Sequence, residues 1–181
     1  MKSIKIKTPL TEEAISKLKS GDRVLMSGVI YAARDAAHKR MVCAIKEGRP
    51  LPFDLKNHVI YYTGPTPAKP PCPIGCAGPT TSYRMDEYTP LLLKRGLKGM
   101  IGKGARDKKV VDAIEKYGAV YLAATGGAAA FLSACIRKAD VIAYADLGSE
   151  AVRKLEVKDF PAVVINDARG NDLYRKVLKG K

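Results

Sequence analysis

Residues 23–38, RVLMSGVIYAARDAAH, predict a β-strand that leads directly into an α-helix. Between Arg23 and Tyr31 the side chains alternate between two faces, as they do along a strand. The residues that follow open a helix that extends to about Glu47, where Gly48 ends it. A strand followed at once by a helix is typical of an α/β fold.

Strands and helices alternate along most of the remaining chain. Three more helices are predicted, starting at Thr11, near Thr80 and at Asp107, and ending at Gly21, Gly96 and Gly118. Further strands are predicted over residues 59–63, 98–101, 119–122, 141–145 and 162–166. Residues 64–79 contain six prolines and three glycines, which exclude a helix and predict an extended loop. We therefore expect one α/β domain over residues 1–181.

The composition is strongly basic. The 181 residues include 32 Lys and Arg against 18 Asp and Glu, which gives a formal net charge of +14. Such a charge predicts an anionic partner or ligand, which could be a nucleic acid, an acidic protein or small carboxylates. A nucleic acid is disfavoured because no run of five like charges occurs, Trp is absent and aromatic residues make up 7%.

One uncharged stretch, residues 119–136, just reaches the length at which a membrane helix must be considered. Residues 125–127, TGG, interrupt it and instead predict a buried strand, a tight turn and a buried helix. The N-terminal residues alternate between apolar and cationic side chains and lack the apolar stretch of a signal peptide. The expected location is therefore the cytoplasm.

Four cysteines, at positions 43, 72, 76 and 135, are too few and too scattered for a disulfide framework. Cys72 and Cys76 have a Cys-x3-Cys spacing with no second pair nearby, so no metal site is expected. Cys43 and Cys135 lie in apolar helical surroundings that suit buried thiols. The pattern fits a reducing compartment.

Residues 78–86, GPTTSYRMD, predict an anion site at the start of a helix. A proline turn would bring hydroxyl groups and free backbone N–H groups to the positive end of the helix, and Arg84 could clamp a carboxylate. An equally good alternative is that Thr80 and Thr81 only cap the helix while Arg84 pairs with Asp86 or Glu87.

Two shorter motifs could also bind anions. In IGKGAR, residues 101–106, glycines flank Lys103 and would let the backbone approach a ligand, although an ordinary exposed turn is more common. In ARDAAH, residues 33–38, Arg34 and His38 are four residues apart and share a helix face, with Asp35 in the first turn. The alternative here is a solvated histidine beside local ion pairs.

These motifs and others, in one order along the whole chain, resemble a family of iron–sulfur hydro-lyases. The matching stretches are residues 8–10, 28–31, 33–38, 51–52, 60–62, 64–65, 78–86, 99–104, 126–130, 146–151, 160–162 and 170–174. The chain resembles the β subunit, or C-terminal domain, of class I fumarases and L-tartrate dehydratases.

The resemblance implies an α/β fold of the swivelling β/β/α kind, with a mixed sheet and flanking helices. It implies docking on a separate α subunit in an α2β2 assembly, and a [4Fe-4S] cluster held by three cysteines of that α subunit rather than by this chain. The implied reaction is the reversible hydration of fumarate to L-malate, a step of the tricarboxylic acid cycle. The related dehydration of tartrate is the alternative.

The resemblance also implies residue roles. Five residues would bind substrate: Arg34, Thr80, Thr81, Arg84 and Lys103. Of these, Thr80, Arg84 and Lys103 would be catalytic, and Thr80 would lie beside the reacting carbon as a base or a proton relay. Asp35 and His38 would orient Arg34 or line the subunit contact, and Asp86 would also support the site without touching the substrate.

A second hypothesis, from a different class, is a basic binding module without catalytic activity, for example for RNA. The affinity of such a module for nucleic acid would fall steeply as the salt concentration rises, and it would not respond to fumarate.

Overall fold

The structure, a computed structural model, describes residues 3–179. The strands are β1 (Ile4–Lys7), β2 (Arg23–Ala32), β3 (Val59–Tyr61), β4 (Gly99–Gly102), β5 (Val120–Ala123), β6 (Ile136–Ala143) and β7 (Val152–Asn166). The α-helices are α1 (Glu12–Lys17), α2 (Asp35–Lys46), α3 (Thr89–Lys94), α4 (Lys108–Lys116), α5 (Ala129–Ala134) and α6 (Leu173–Lys179). Two 3₁₀ helices cover Ser82–Met85 and Ala145–Glu150.

The strands form one mixed sheet that closes on itself. Strands β2, β3, β4 and β5 lie side by side and run parallel. Strand β7 runs antiparallel to both outer members of this row, pairing with β2 and, near its C-terminal end, with β5. The pairings β2–β3–β4–β5–β7 therefore form a closed ring, and β1 and β6 extend it as edge strands on β2 and β7.

Side chains on the two faces of the ring form two hydrophobic cores. On β3, Val59 and Tyr61 belong to the core inside the ring, whereas Ile60 belongs to the core outside it. Phe160 on β7 is fully buried in the inner core, with its ring edge-on to Tyr61 at 5.1 Å. Helices α2, α3 and α4 pack on the outer face, so they fix the segments that connect the parallel strands.

The predicted α/β fold with a mixed sheet and flanking helices is confirmed. The segment at residues 23–38 forms β2 and the start of α2, as predicted. Two predicted helix starts are also confirmed by their caps. The Thr11 hydroxyl accepts a hydrogen bond from Ala14 N at 3.1 Å, and the Asp107 carboxylate accepts one from Val110 N at 2.8 Å.

The single helix predicted from about residue 80 to Gly96 is wrong. The chain instead forms the 3₁₀ helix Ser82–Met85 and then, after a break, α3 from Thr89. Pro90 has no N–H group to donate to the carbonyl four residues earlier, so it is accommodated only in the first turn of a helix. The first helix also ends at Lys17, before the predicted Gly21.

Several strands differ from their predicted lengths. Strand β6 begins at Ile136 instead of residue 141, and β7 begins at Val152 instead of residue 162. Both extensions contain charged residues at exposed positions, which weaken the apolar signal on which the prediction depended. Strand β1 was not predicted.

Residues 119–136 form β5, a turn and α5, but α5 is not the buried helix that was predicted. Phe131 is 64% exposed, and Leu132 is the buried residue of that helix. No helix between residues 3 and 179 is long and apolar enough to cross a membrane. The prediction of buried thiols is wrong for Cys43, which is exposed between the buried positions of α2, and Cys135 is only half-buried.

Candidate active site

The carboxyl ends of β2, β3, β4 and β5 meet at one edge of the sheet, because these four strands are parallel. The segments that leave the strands there are residues 33–35, 62–64, 103–104 and 124–127. In α/β folds with parallel strands, whether the sheet is open or closed, ligands bind at the carboxyl ends of the strands. Arg34 and Lys103, which were predicted to bind substrate, lie in two of these segments.

A carboxylate lies between two of the predicted substrate-binding arginines. Arg34 Nε is 3.4 Å from Asp35 Oδ1, and Arg84 Nη1 is 3.6 Å from Asp35 Oδ2. Glu150 adds a second anion, because its Oε1 is 3.2 Å from Arg34 Nη2 and its Oε2 accepts a hydrogen bond from Ala36 N at 3.2 Å. Arg34 and Arg84 are thus neighbours, and their side chains are 19% and 34% exposed.

Buried polar atoms without a hydrogen-bond partner are concentrated in this cluster. Of eight such side-chain atoms in the described chain, four are Arg34 Nε, Asp35 Oδ1, His38 Nε2 and Arg84 Nε. Arg34 Nε lies 3.4 Å from Asp35 Oδ1 without forming a hydrogen bond to it. Since nearly all buried polar atoms in folded proteins are paired, this concentration indicates a polar cluster that bound water, a ligand or a partner completes.

Thr80 and Lys103 are joined through their backbones. The N–H and the hydroxyl of Thr80 both donate to Tyr62 O, at 2.7 and 2.9 Å. Lys103 N donates to Thr80 O at 3.2 Å, and Ser82 N donates to Lys103 O at 2.9 Å. Thr81 is the bridge partner of Lys103, so residues 80–82 run beside the end of β4, and Lys103 itself is exposed.

The regular helix start on which the predicted anion site depended does not form. The helix there is a 3₁₀ helix of four residues, and Thr81 at its boundary makes no capping hydrogen bond. The Ser82 hydroxyl contacts Tyr121 Oη at 2.9 Å instead of a helix N–H. The alternative that Arg84 pairs with Asp86 or Glu87 is also wrong, because the carboxylate beside Arg84 in the described chain is that of Asp35.

Asp86 pairs with Arg106, a residue that was not predicted to contribute to the site. The Arg106 side chain has no exposed surface; its Nε donates to Asp86 Oδ1 at 2.6 Å and its Nη2 donates to Thr89 Oγ1 at 2.8 Å. The other carboxylate oxygen, Asp86 Oδ2, accepts from Asp107 N at 2.8 Å. The motif IGKGAR contains no local signal for this burial, because the groups that surround Arg106 come from distant parts of the chain.

His38 is completely buried and contacts the backbone of Arg34. Its Nδ1 is 2.8 Å from the Arg34 carbonyl oxygen, which can only accept, so Nδ1 carries the proton. The ring lies edge-on to Tyr62 at 5.3 Å. Burial lowers the pKa of His38 to about 4, so the ring is neutral near neutral pH. The hydrogen bond from His38 to the Arg34 carbonyl is the contact expected of a residue that orients Arg34.

We expect His38 to make the protein less stable as the pH falls below 6.5, its ordinary pKa. In the unfolded chain the ring binds a proton below that pH, whereas in the folded chain it does so only near its lowered pKa of about 4. The contribution is therefore complete above pH 6.5 and is lost as the pH falls toward 4. From about pH 7 to about pH 5 the free energy of unfolding should drop by about 2 kcal/mol on this account.

Urea unfolding at the two pH values measures this loss. His38→Gln is the control, because glutamine does not titrate and should lack this component. An equal pH dependence in both proteins would contradict the prediction.

Between residues 3 and 179, no three His, Cys, Asp or Glu side chains are grouped so that they could hold a metal ion. Cys72 and Cys76 are free and exposed in the proline-rich loop, and Cys43 and Cys135 lie on or next to helices elsewhere. The residues described here do not fit a metal cluster bound by this chain.

The site carries more positive than negative charge. Arg34, Arg84 and Lys103 are its cations, and Asp35 and Glu150 are its carboxylates. A guanidinium group binds a carboxylate through two parallel hydrogen bonds, and an ammonium group adds a compact charge with three donors. The arrangement suits a small anion that has more than one carboxylate.

Comparisons with known proteins identify one family. A family model described as Fumarase C-terminus matches residues 1–177. Fumarate hydratase 2 of Leishmania major is 39% identical over 179 residues, which are 97% of this chain and 32% of the relative. The anaerobic class I fumarate hydratase of Escherichia coli (strain K12) is 40% identical over 166 residues, which are 91% of this chain and 30% of the relative.

A shorter relative matches almost end to end. It is a protein of Methanocaldococcus jannaschii, provisionally named L(+)-tartrate dehydratase subunit beta, and it is 41% identical over 176 residues, which are 94% of this chain and 90% of the relative. This chain therefore spans about a third of the length of the fumarate hydratases named above, but nearly the full length of the shorter protein.

Proposed function

This chain belongs to the fumarase C-terminus family, and on that premise we propose that it is the β subunit of an iron–sulfur hydro-lyase that hydrates fumarate reversibly to L-malate. Its part is to bind the substrate carboxylates in a cleft shared with an α subunit. The observation that carries the proposal is the Arg34–Asp35–Arg84 cluster, whose two arginine Nε atoms lack partners.

The proposed substrate needs several fixed cations. Fumarate carries two carboxylates, and negative charge builds on one of them when the neighbouring carbon gains or loses a proton. We assign Arg34, Arg84 and Lys103 to these carboxylates. Asp35 and Glu150 keep the Arg34 guanidinium oriented, and the partly exposed guanidinium groups of Arg34 and Arg84 remain available to the substrate.

We assign Thr80 and Thr81 to the side of the substrate that faces the end of β4. The Thr80 hydroxyl donates its proton to the Tyr62 carbonyl, which cannot take up that proton. Thr80 therefore has lone pairs to offer, and no base between residues 3 and 179 forms a hydrogen bond with its hydroxyl. To act as a base or as a proton relay, the hydroxyl would have to rotate away from Tyr62 O and release its proton to another group.

The [4Fe-4S] cluster belongs, in this proposal, to the α subunit. When bound there it supplies an iron that coordinates substrate as a Lewis acid. The chain's own lack of a three-ligand group between residues 3 and 179 supports an external site. We propose an α2β2 assembly in the cytoplasm, a reducing compartment that suits the free thiols of this chain.

L-tartrate dehydratase is the second candidate activity. The supporting observation is the Methanocaldococcus relative, which is named for that activity as a separate β subunit and has nearly the same extent as this chain. The extra hydroxyl groups of tartrate could be bound by side chains of the α subunit, so the same carboxylate-binding residues serve either substrate.

An anaerobic assay of this chain with its cognate, cluster-loaded α subunit tests the proposal. Fumarate hydration is followed for the chain alone, for the α subunit alone and for the mixture, and then with tartrate. We expect activity only in the mixture, and the ratio of the two rates identifies the substrate. No activity with either diacid, from a formed complex with an intact cluster, would overturn the proposal. The basic binding module would then be tested by salt-dependent RNA binding.

A change at Gly64 should disturb Arg34 without removing its charge. A Cβ atom at position 64 would lie 2.9 Å from Arg34 Nη1 and 3.1 Å from Arg34 Cδ, so Gly64→Ala must push the guanidinium aside. We expect kcat/KM for fumarate to fall by about 10- to 100-fold. The free energy of unfolding should change by less than about 1 kcal/mol, because a flexible side chain can move. Steady-state kinetics and urea unfolding measure both, and unchanged kinetics would argue against the assignment of Arg34.

A further inference from the structure

The buried guanidinium of Arg106 contacts three groups that hold the proposed substrate-binding residues. It lies 5.4 Å from the ring centre of Tyr62 and 5.0 Å from that of Tyr121, and it forms an ion pair with Asp86. Each of these residues is attached to a different part of the site. Arg106 itself has no exposed side-chain surface, so it cannot touch the substrate.

The contact with Tyr62 leads to Thr80. Arg106 Nη1 donates to Tyr62 Oη at 3.4 Å, which holds the ring of this residue beneath the end of β3. The carbonyl of the same Tyr62 accepts both the N–H and the hydroxyl of Thr80. The position of the Thr80 side chain thus depends on where Tyr62 is fixed.

The contact with Asp86 leads to Arg84. Asp86 follows the 3₁₀ helix that carries Arg84, and its two carboxylate oxygens accept from Arg106 Nε and from Asp107 N. Arg106 Nη2 also donates to Thr89 Oγ1, and Thr89 begins α3. The segment with Arg84 is thereby tied at its C-terminal side to the start of α4.

The contact with Tyr121 leads to Lys103. The Tyr121 hydroxyl donates to Gly104 O at 2.8 Å, the carbonyl next to Lys103, and it accepts from the Ser82 hydroxyl at 2.9 Å. One tyrosine on β5 therefore connects the loop after β4 with the segment that contains Thr81 and Arg84.

We propose that Arg106 is a positioning residue, which fixes Thr80, Arg84 and Lys103 relative to one another from inside the protein. The inference rests on the proposed function, because it assigns the substrate contacts to those three residues. An arginine is needed because its planar fork donates to Asp86, Thr89 and Tyr62 in different directions at once. A lysine at this position would keep the charge but could not reproduce the three directions.

Arg106→Lys and Asp86→Asn are the test variants. In wild type, the two Asp86 carboxylate oxygens accept from Arg106 Nε and from Asp107 N. In Asp86→Asn, an NH₂ group replaces one of these oxygens, so it would face one of the two donors and could not accept from it. Thr89→Val is a third variant, in case the first two fold poorly, since it removes only the hydroxyl, which accepts from Arg106 and donates to Met85 O. The matched control is Asp167→Asn.

The control changes a carboxylate of similar burial at the opposite edge of the sheet. Asp167 accepts hydrogen bonds from Ser20 N, which precedes β2, and from Asn171. Its loss should lower the melting temperature without reaching the site. A purely structural effect reduces only the amount of folded enzyme, which scales kcat and leaves KM unchanged.

In the assembled enzyme, well below the melting temperature, we expect Arg106→Lys and Asp86→Asn to raise KM for fumarate about 10-fold or more. Asp167→Asn should change KM by less than about 2-fold. A KM that is unchanged in all three network variants, while kcat follows the folded fraction, would overturn the inference.

A second measurement does not depend on activity. Hydrogen exchange on the full chain reports the amides of Ser82 and Lys103, whose bonds to Lys103 O and Thr80 O join the two segments. We expect these amides to exchange faster in the network variants than in wild type and in Asp167→Asn. Unchanged exchange would overturn the inference even if the hydro-lyase proposal held. Faster exchange with an inactive wild-type complex would instead reject the proposed function alone.

Discussion

Arg84→Ala is expected to lower kcat/KM for fumarate by about 1000-fold in the assembled enzyme. The Arg84 side chain is 34% exposed, and the carboxylate beside it in the described chain, Asp35, is shared with Arg34. Its guanidinium is therefore available to a substrate carboxylate, where it would stabilise the charge that develops in the transition state. A 1000-fold loss corresponds to about 4 kcal/mol of transition-state stabilisation. Initial rates over a range of fumarate concentrations measure it.

Arg49→Ala is the matched control, because it removes the same charge from a different place. The Arg49 side chain is 60% exposed and pairs with Glu47 on the surface. A general attraction of the basic protein for a dianion would be weakened equally by both substitutions, whereas a specific contact would be lost only with Arg84. We expect Arg49→Ala to stay within about 2-fold of wild type. Equal losses in the two variants would refute the assignment.

Phe160→Ala is expected to lower the free energy of unfolding by about 3 to 5 kcal/mol. Phe160 is fully buried inside the ring of strands and packs edge-on against Tyr61. Removing its ring leaves a cavity, and the hydrogen bonds that close the ring of strands limit how far the walls can move inward. Urea unfolding at neutral pH measures the change.

Phe131→Ala is the control for Phe160→Ala, because it removes the same atoms from an exposed position. The Phe131 side chain is 64% exposed on α5. Its replacement should change the free energy of unfolding by less than about 0.5 kcal/mol. If Phe160→Ala were as mild as Phe131→Ala, the inner core could not have the packing described above.

Local sequence signals predicted most elements correctly, because their physical causes are also local. The caps at Thr11 and Asp107 and the strand-to-helix pattern at residues 23–38 need only neighbouring residues to form. Closure of the ring was not predicted. The early residues of β7 include charged side chains that weaken the apolar pattern of a strand, and they pair with β2, which is far away in the sequence.

The candidate site shows the same division. The motifs that contain Arg34, Thr80, Arg84 and Lys103 were recognisable, and the fold brings them to the sheet edge where parallel strands end. The ion-pair partners of these residues could not be recognised from the sequence, because the Arg84–Asp35 and Asp86–Arg106 pairs each join two separate motifs. Spacing along one segment cannot show which carboxylate a distant arginine will meet.

The strand that closes the ring emerges from the ribosome last among the strands. Val163 of β7 pairs with Arg23 of β2, so the inner core cannot be completed until the chain has been synthesised past residue 163. Contacts between residues so far apart in sequence form slowly. Before β7 is synthesised, β2 and β5 each have an unpaired edge, and unpaired edges promote aggregation. The yield of folded protein should therefore depend on chaperones and on the rate of translation.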